Sequence, residues 1–263
     1  MKMMKKVLAI VLACITVCAC FVGCSAKKDS AKSDSETIKE KGELVVGITD
    51  FAPMDYKDEN GNWIGFDADL ANKLGEKLGV NVKFVEIDWD NKFIELSTGS
   101  IDCIWNGMTI TDEVKNNSSV TEAYAMNQQI VVTKKDLAAT LKSVDDLKNL
   151  TFAVENGSAG QGAAEDNGLN ATAVTAQSDA LLEVASGSVD ACIIDSTMAA
   201  AMTGEGTDYA DLASSVVLVD EQYGISFRKD SDMVEKTNAY LQEFKTDGTL
   251  KALSEKYSVQ LAD

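Results

Sequence analysis

Any chemistry in this chain has to be done without histidine. The 263 residues contain none, and Arg228 is the sole arginine. A His-based triad, a His metal site and a His general base are therefore excluded. Cys103 and Cys192 lie far apart, each inside an apolar run, without the spacing of a metal site. They read as two buried thiols, or as a disulfide in an exported chain. What the sequence holds in quantity is carboxylate: 42 Asp and Glu against 24 Lys and Arg, a net charge of −18. Paired acids such as Asp50 and Glu155 have the chemistry for acid/base work, but no nucleophile–base pair accompanies them. No catalytic residue, metal or cofactor is assigned. The acidic balance argues against a nucleic-acid partner, because phosphate binding needs a basic face.

The elements behind these residues begin with a targeting segment. Lys2, Lys5 and Lys6 precede a 17-residue run, 7–23, whose one clearly polar member is Thr16. A basic start followed by a short apolar stretch reads as a secretory signal, residues 1–23. The sequence Phe21-Val22-Gly23-Cys24 resembles a bacterial lipobox, which makes Cys24 the lipidated first residue of the mature chain. Residues 24–41 follow as a flexible tether, with Ser, Ala, Lys and Asp over 25–36 and no apolar periodicity. The chain is then expected on the outer face of the bacterial cytoplasmic membrane, held by its lipid.

From Glu43 the pattern alternates short strands with helices. Residues 44–48 form a buried-strand run. Phe66, Leu70, Leu74 and Leu78 fall at helical spacing, and Gly79 stands where a helix ends. Strands follow over 82–87 and through Cys103 and Trp105, with a helix over 91–98 between them. The second half repeats this grammar: a strand over 150–154, a helix over 178–185 and a strand through Cys192. Further strands are expected over 216–219 and 224–227, then helices over 230–256 broken at Asp247-Gly248. Gly99-Ser100-Ile101-Asp102-Cys103 is echoed by Gly187-Ser188-Val189-Asp190-Ala191. Two similar α/β lobes imply a cleft between them, and open α/β sheets bind ligands beyond the carboxyl ends of their strands.

Three segments carry a resemblance: Ile64-Gly65-Phe66-Asp67-Ala68-Asp69-Leu70-Ala71, Asn106 to Glu113, and Gln222-Tyr223-Gly224-Ile225-Ser226. Together they resemble the extracellular solute-binding proteins of polar amino-acid ABC importers, over about 36–258. The resemblance implies an α/β, two-lobed type II periplasmic-binding fold with two hinge strands, crossing near 128–132 and 219–224. Lobe I would be 42–127 with a return over 223–263, and lobe II 128–222. It implies a monomer that closes around a small polar solute, an amino acid or an amine, and meets ABC permease and ATPase subunits. Its ligand positions fall on Asp50 and Phe51, on Trp89 as an aromatic wall, and on Gly107 and Thr109 as carboxylate donors. The loop from the second lobe falls on Gly157, Ser158 and Ala159, and the ammonium-binding acid on Asp195, which is also a favoured helix N-cap.

One departure bears on the ligand. Relatives that bind α-amino acids usually grip the α-carboxylate with an Arg where this chain has Val114. Each charge-assisted hydrogen bond so lost is worth about 1.5–3 kcal/mol. Lys115 next door cannot reproduce the guanidinium fork. Asp50, Glu155 and Asp195 make the cleft more acidic than usual. Either Thr109, Ser158 and backbone donors hold the carboxylate, or the ligand is a cationic amine that lacks one. An enzyme on the same scaffold, a dehydratase or a lytic glycosidase, is the alternative of a different class.

Overall fold

The computed structural model describes residues 32–263, so the signal segment and Cys24 lie outside the described residues. The tether reading needs correction at its C-terminal end. Residues Asp34–Lys41 form a helix, α1, capped by Ser33, whose hydroxyl accepts the Glu36 N–H while Glu36 reaches back to the Ser33 N–H. This capping box satisfies two of the orphan donors of the first turn. One apolar residue then docks the helix, because Ile38 is buried in the main core. Polar contacts finish the clamp. Arg228 donates to Asp34 Oδ1 from Nε and Nη2 (3.1 and 2.9 Å), and Ser35 N–H donates to Asp232 (3.0 Å). A single apolar residue in a charged segment gives no periodicity to read, so the sequence showed no helix there.

The strands are β1 Glu43–Ile48, β2 Tyr56–Lys57, β3 Trp63–Ile64, β4 Asn81–Glu86, β5 Cys103–Thr109, β6 Ser119–Val120, β7 Ala125–Lys134, β8 Thr151–Glu155, β9 Asn170–Val174, β10 Ala191–Asp195 and β11 Leu212–Phe227. Apart from the β2–β3 hairpin they form one sheet of order β4-β1-β5-β11-β7-β10-β8-β9, with β6 added to β11. The β4-β1-β5 end is parallel, as is the β10-β8-β9 end. Antiparallel pairing joins the two ends through β11 and β7, from Leu212↔Lys134 to Tyr223↔Ala125. These long strands are the two that pass between lobes. The two strands expected over 216–227 are therefore one, with register shifts at Ser214/Val217 and Val217/Val219. Asp220 and Glu221 in its middle hide that continuity in the sequence.

Helix Phe66–Leu78, α2, forms as its spacing requires, burying Phe66, Leu70 and Leu74 and ending on Gly79 in the left-handed region. The helices that follow are α3 Lys92–Thr98, α4 Asp112–Asn117, α5 Lys135–Ala138, α6 Ala159–Asp166, α7 Gln177–Ser186 and α8 Ser196–Met202. Helices α9 Met233–Thr246 and α10 Thr249–Tyr257 break at Gly248, as expected. Cys103 and Cys192 are free and buried. No described helix is long and apolar enough to cross a membrane.

Candidate functional site

Strands β1, β4 and β5 from one end of the sheet, and β8 and β10 from the other, direct their carboxyl ends towards a common cleft of about 990 Å³. Each parallel strand must end in a loop before its crossover helix, and those loop backbones are free to meet a ligand. Phe51 follows β1, Trp89 follows β4, and Gly107 and Thr109 end β5. Gly157, Ser158 and Ala159 follow β8, and Asp195 closes β10. All of these line the cleft. Asp50 is the exception. Its side chain is exposed, it is not among the lining residues, and its carboxyl is held above the ordinary range by partial burial and the Glu86 charge.

Gly107 contributes shape rather than the donor expected of it. Its N–H is donated to Asp67 Oδ2 (2.7 Å), which also accepts the Tyr124 hydroxyl (2.8 Å). Its φ of +54° and the position of Phe51 both demand glycine, since a Cβ would lie 2.6 Å from Phe51 Cε1. Beneath this floor Asp55 accepts from Asn106 (2.8 Å). Burial pushes Asp67 up to about 7 and Asp55 well above the usual carboxylate range. Among the described residues no side chain bonds the Thr109 hydroxyl. Ser158 caps α6, accepting the Gln161 N–H (3.1 Å) and keeping its own hydroxyl proton to donate.

The aromatic wall holds an unforeseen cation. Lys92 is buried, with Nζ 5.1 Å from the Trp89 ring centroid and 5.0 Å from that of Phe93. It donates to the Trp89 carbonyl (3.1 Å) and, across the cleft, to the Gly157 carbonyl (2.8 Å). Burial holds its pKa below the ordinary lysine value. A lysine in the first turn of a helix opposes the macrodipole, and that broken local rule was the available signal. Val114, in contrast, is apolar in its surroundings as well as its type, packed with Trp89, Leu96 and Met108.

Across from this wall the cleft is acidic. Glu155 is buried, its Oε1 has no partner among the described residues, and burial raises it to about 8 against the opposing charge of Lys92. Asp195 does not use its side chain to cap α8. Instead it accepts from Asn127, Gln129 (2.9 Å), Tyr223 (2.8 Å) and Gln177. Glu221, which the sequence reading missed, accepts from the same Asn127 and Gln129 amides (2.5 and 2.9 Å). Asp195 is pushed well above the usual range, by burial first and then by Glu221. This arrangement can hold cationic groups.

Comparison with known proteins agrees with that geometry. The model of the bacterial extracellular solute-binding proteins, family 3, matches residues 44–260. The chain belongs to this family. The arginine-binding extracellular protein ArtP of Bacillus subtilis (strain 168) is 31% identical over 261 residues, covering 97% of this chain and 98% of that one. Among solved structures, the P235GK mutant of ArgBP from T. maritima superposes with a TM-score of 0.79 at 38% identity, covering 85% of this chain and 98% of its own. An ancestral amino acid-binding protein, AncCDT-1, described as a precursor of cyclohexadienyl dehydratase, gives a TM-score of 0.79 at 34% identity, covering 86% and 99%. This chain is thus an extracellular solute-binding protein of the two-lobed, family-3 type.

Proposed function

We propose that the chain is the solute-capturing component of an ABC importer, lipid-anchored through Cys24 outside the cytoplasmic membrane, and that its solute is an amino acid with a cationic side chain. The observation that carries the ligand assignment is the set of buried carboxyl groups in the cleft. Glu155, Asp195 and Glu221 are buried in it, while Lys92 is the one buried basic residue among its lining. Burying carboxylates this way is costly unless a cation arrives to pair with them. Phe51 and Trp89 flank the stem of such a solute. Its α-carboxylate is received by the hydroxyls of Thr109 and Ser158 and by the Ala159 N–H at the start of α6, in place of an arginine. Strands β7 and β11 flex to close the lobes, and the closed form of the monomer meets the permease and ATPase. ArtP, named as arginine-binding, supports the choice of arginine as first probe.

Thermal unfolding of residues 25–263 with L-arginine, L-lysine, agmatine, L-glutamate and glucose tests this reading. A ligand at 100 times Kd stabilises by about 2.7 kcal/mol, a shift of roughly 5–10 °C. Shifts with arginine or lysine support it. A shift with agmatine alone transfers the site to an amine without a carboxylate, and a shift with glutamate alone refutes the charge argument. The solute is expected back unchanged, since recovery of a product would make the protein an enzyme. Stimulation of a reconstituted permease ATPase by the loaded protein tests the importer assignment.

A further inference from the structure

Asp195 and Glu221 are placed as a pair. Asn127 Nδ2 and Gln129 Nε2 each donate to Asp195 Oδ1 and to Glu221 Oε1, so both amides bridge both acids. Asn127 cannot turn over, because its Oδ1 already accepts the Ser196 hydroxyl (3.0 Å) and the Thr197 N–H (3.2 Å). All four side chains are buried, and the two acids line the cleft. Among the described residues no Lys or Arg pairs with either acid. Amide protons are shared donors and carry no net charge to offset two carboxylates. Like charges this close, out of water, do not both ionise without a cation.

The surrounding charges do not change that conclusion. From β11 come Glu221 and the Tyr223 hydroxyl, which donates to Asp195. From β8 comes Glu155, which shares Gln177 of α7 with Asp195. Strand β7 and helix α8 present neutral Asn127, Gln129 and Thr197. The cation of the cleft, Lys92 of α3, faces Glu155 and gives its protons to carbonyl oxygens. Burial and the Glu221 charge both act to keep Asp195 protonated.

We propose that Asp195 carries a proton beside the Glu221 carboxylate, and that the cationic group of the solute takes its place when the solute binds. The Asp195 O–H bond breaks, the proton passes to a buffer base, and the carboxylate left behind pairs with the solute's ammonium or guanidinium. Capture is thereby coupled to proton release and is favoured as pH rises towards the pKa of Asp195. This inference rests on the cationic-solute reading above.

Calorimetry of L-arginine binding at pH 7, in phosphate and in Tris, measures the coupling through the dependence of heat on buffer ionisation. Release of about one proton per arginine is expected for the wild type. In Glu221→Gln the release should be smaller than in the wild type, because the second acid no longer helps to hold the proton on Asp195 while burial still does. Buffer-independent heat in the wild type overturns the proposal. If arginine gives no heat at all, the solute assignment fails instead, and carboxyl ¹³C NMR of the protein alone decides the protonation. The resonance lost in Asp195→Asn should titrate well above the ordinary value of about 4. It should move down in Glu221→Gln. An ordinary midpoint in the wild type refutes the proposal without any ligand.

Discussion

Lys92→Met isolates the bond that crosses the cleft. In the wild type Nζ joins α3 to the Gly157 carbonyl at 2.8 Å, and the same ammonium is anchored by the Trp89 carbonyl at 3.1 Å. A hydrogen bond from a charged donor contributes about 1.5–3 kcal/mol. Part of that is offset, because burial disfavours the ammonium and methionine removes this cost. A net loss of about 1–2 kcal/mol in closure remains, and at 1.4 kcal/mol per decade this weakens solute binding by roughly 5–30-fold. Methionine retains the contact with the Trp89 and Phe93 rings, so stability should change little. The assay is calorimetric affinity for L-arginine together with small-angle scattering, in which the variant should remain more extended at equal saturation. Unchanged affinity with unchanged compactness refutes the reasoning. Tighter binding refutes it differently, by showing that Lys92 competes with the solute for Glu155.

Three further outcomes are expected. Glu155 and Asp67 have folded pKa values raised to about 8 and about 7 from ordinary values of 4.5 and 3.8, so the native state holds protons that the unfolded chain has lost. Stability should therefore fall between about pH 5 and 8, and Glu155→Gln should flatten the upper part of that fall, as read by melting temperature; a rise over this window contradicts it. Gly107→Ala should cost about 1–2 kcal/mol for its left-handed backbone, and more for the Phe51 contact, with affinity lost as Phe51 is displaced. Arg228→Met should lower the melting temperature by roughly 3–10 °C through loss of the Asp34 and Asp102 pairs, leaving affinity near wild type.

Much of the fold was legible because periodicity reports one-sided burial. Phe66, Leu70, Leu74 and the following Gly79 defined α2, and the apolar runs at Cys103 and Cys192 defined β5 and β10. Periodicity was silent where burial rests on one residue, as at Ile38 of α1, and misleading where acids sit inside a strand, as at Asp220 and Glu221 of β11. The cleft was readable at strand ends, where Phe51, Trp89, Thr109, Ser158 and Asp195 all line it. Lys92 and Glu221 were not, because each owes its place to a partner far away in sequence: Gly157 for one, Asn127 and Gln129 for the other. Asp50 does not line the cleft, although its neighbour Phe51 does.

The disposition of charge argues for function over stability. Arg228, the one guanidinium in the chain, clamps α1 to the segment just before β5, where it pairs with Asp34 and donates to the Ile101 carbonyl (2.9 Å). Val114 leaves the cleft without a guanidinium, and Lys92 is occupied by two carbonyls. Meanwhile Glu155, Asp195 and Glu221 remain buried where apolar residues would stabilise the fold more. Asp55 and Asp67 add two more buried acids under the floor. A chain with 24 basic residues has the means to neutralise such sites, yet among the cleft's buried lining it places Lys92 alone, facing Glu155. Buried acids left without cations destabilise the unliganded protein and stabilise a complex with a cation by the same interaction. A neutral solute would leave that cost standing, which is the ground for proposing a cationic one.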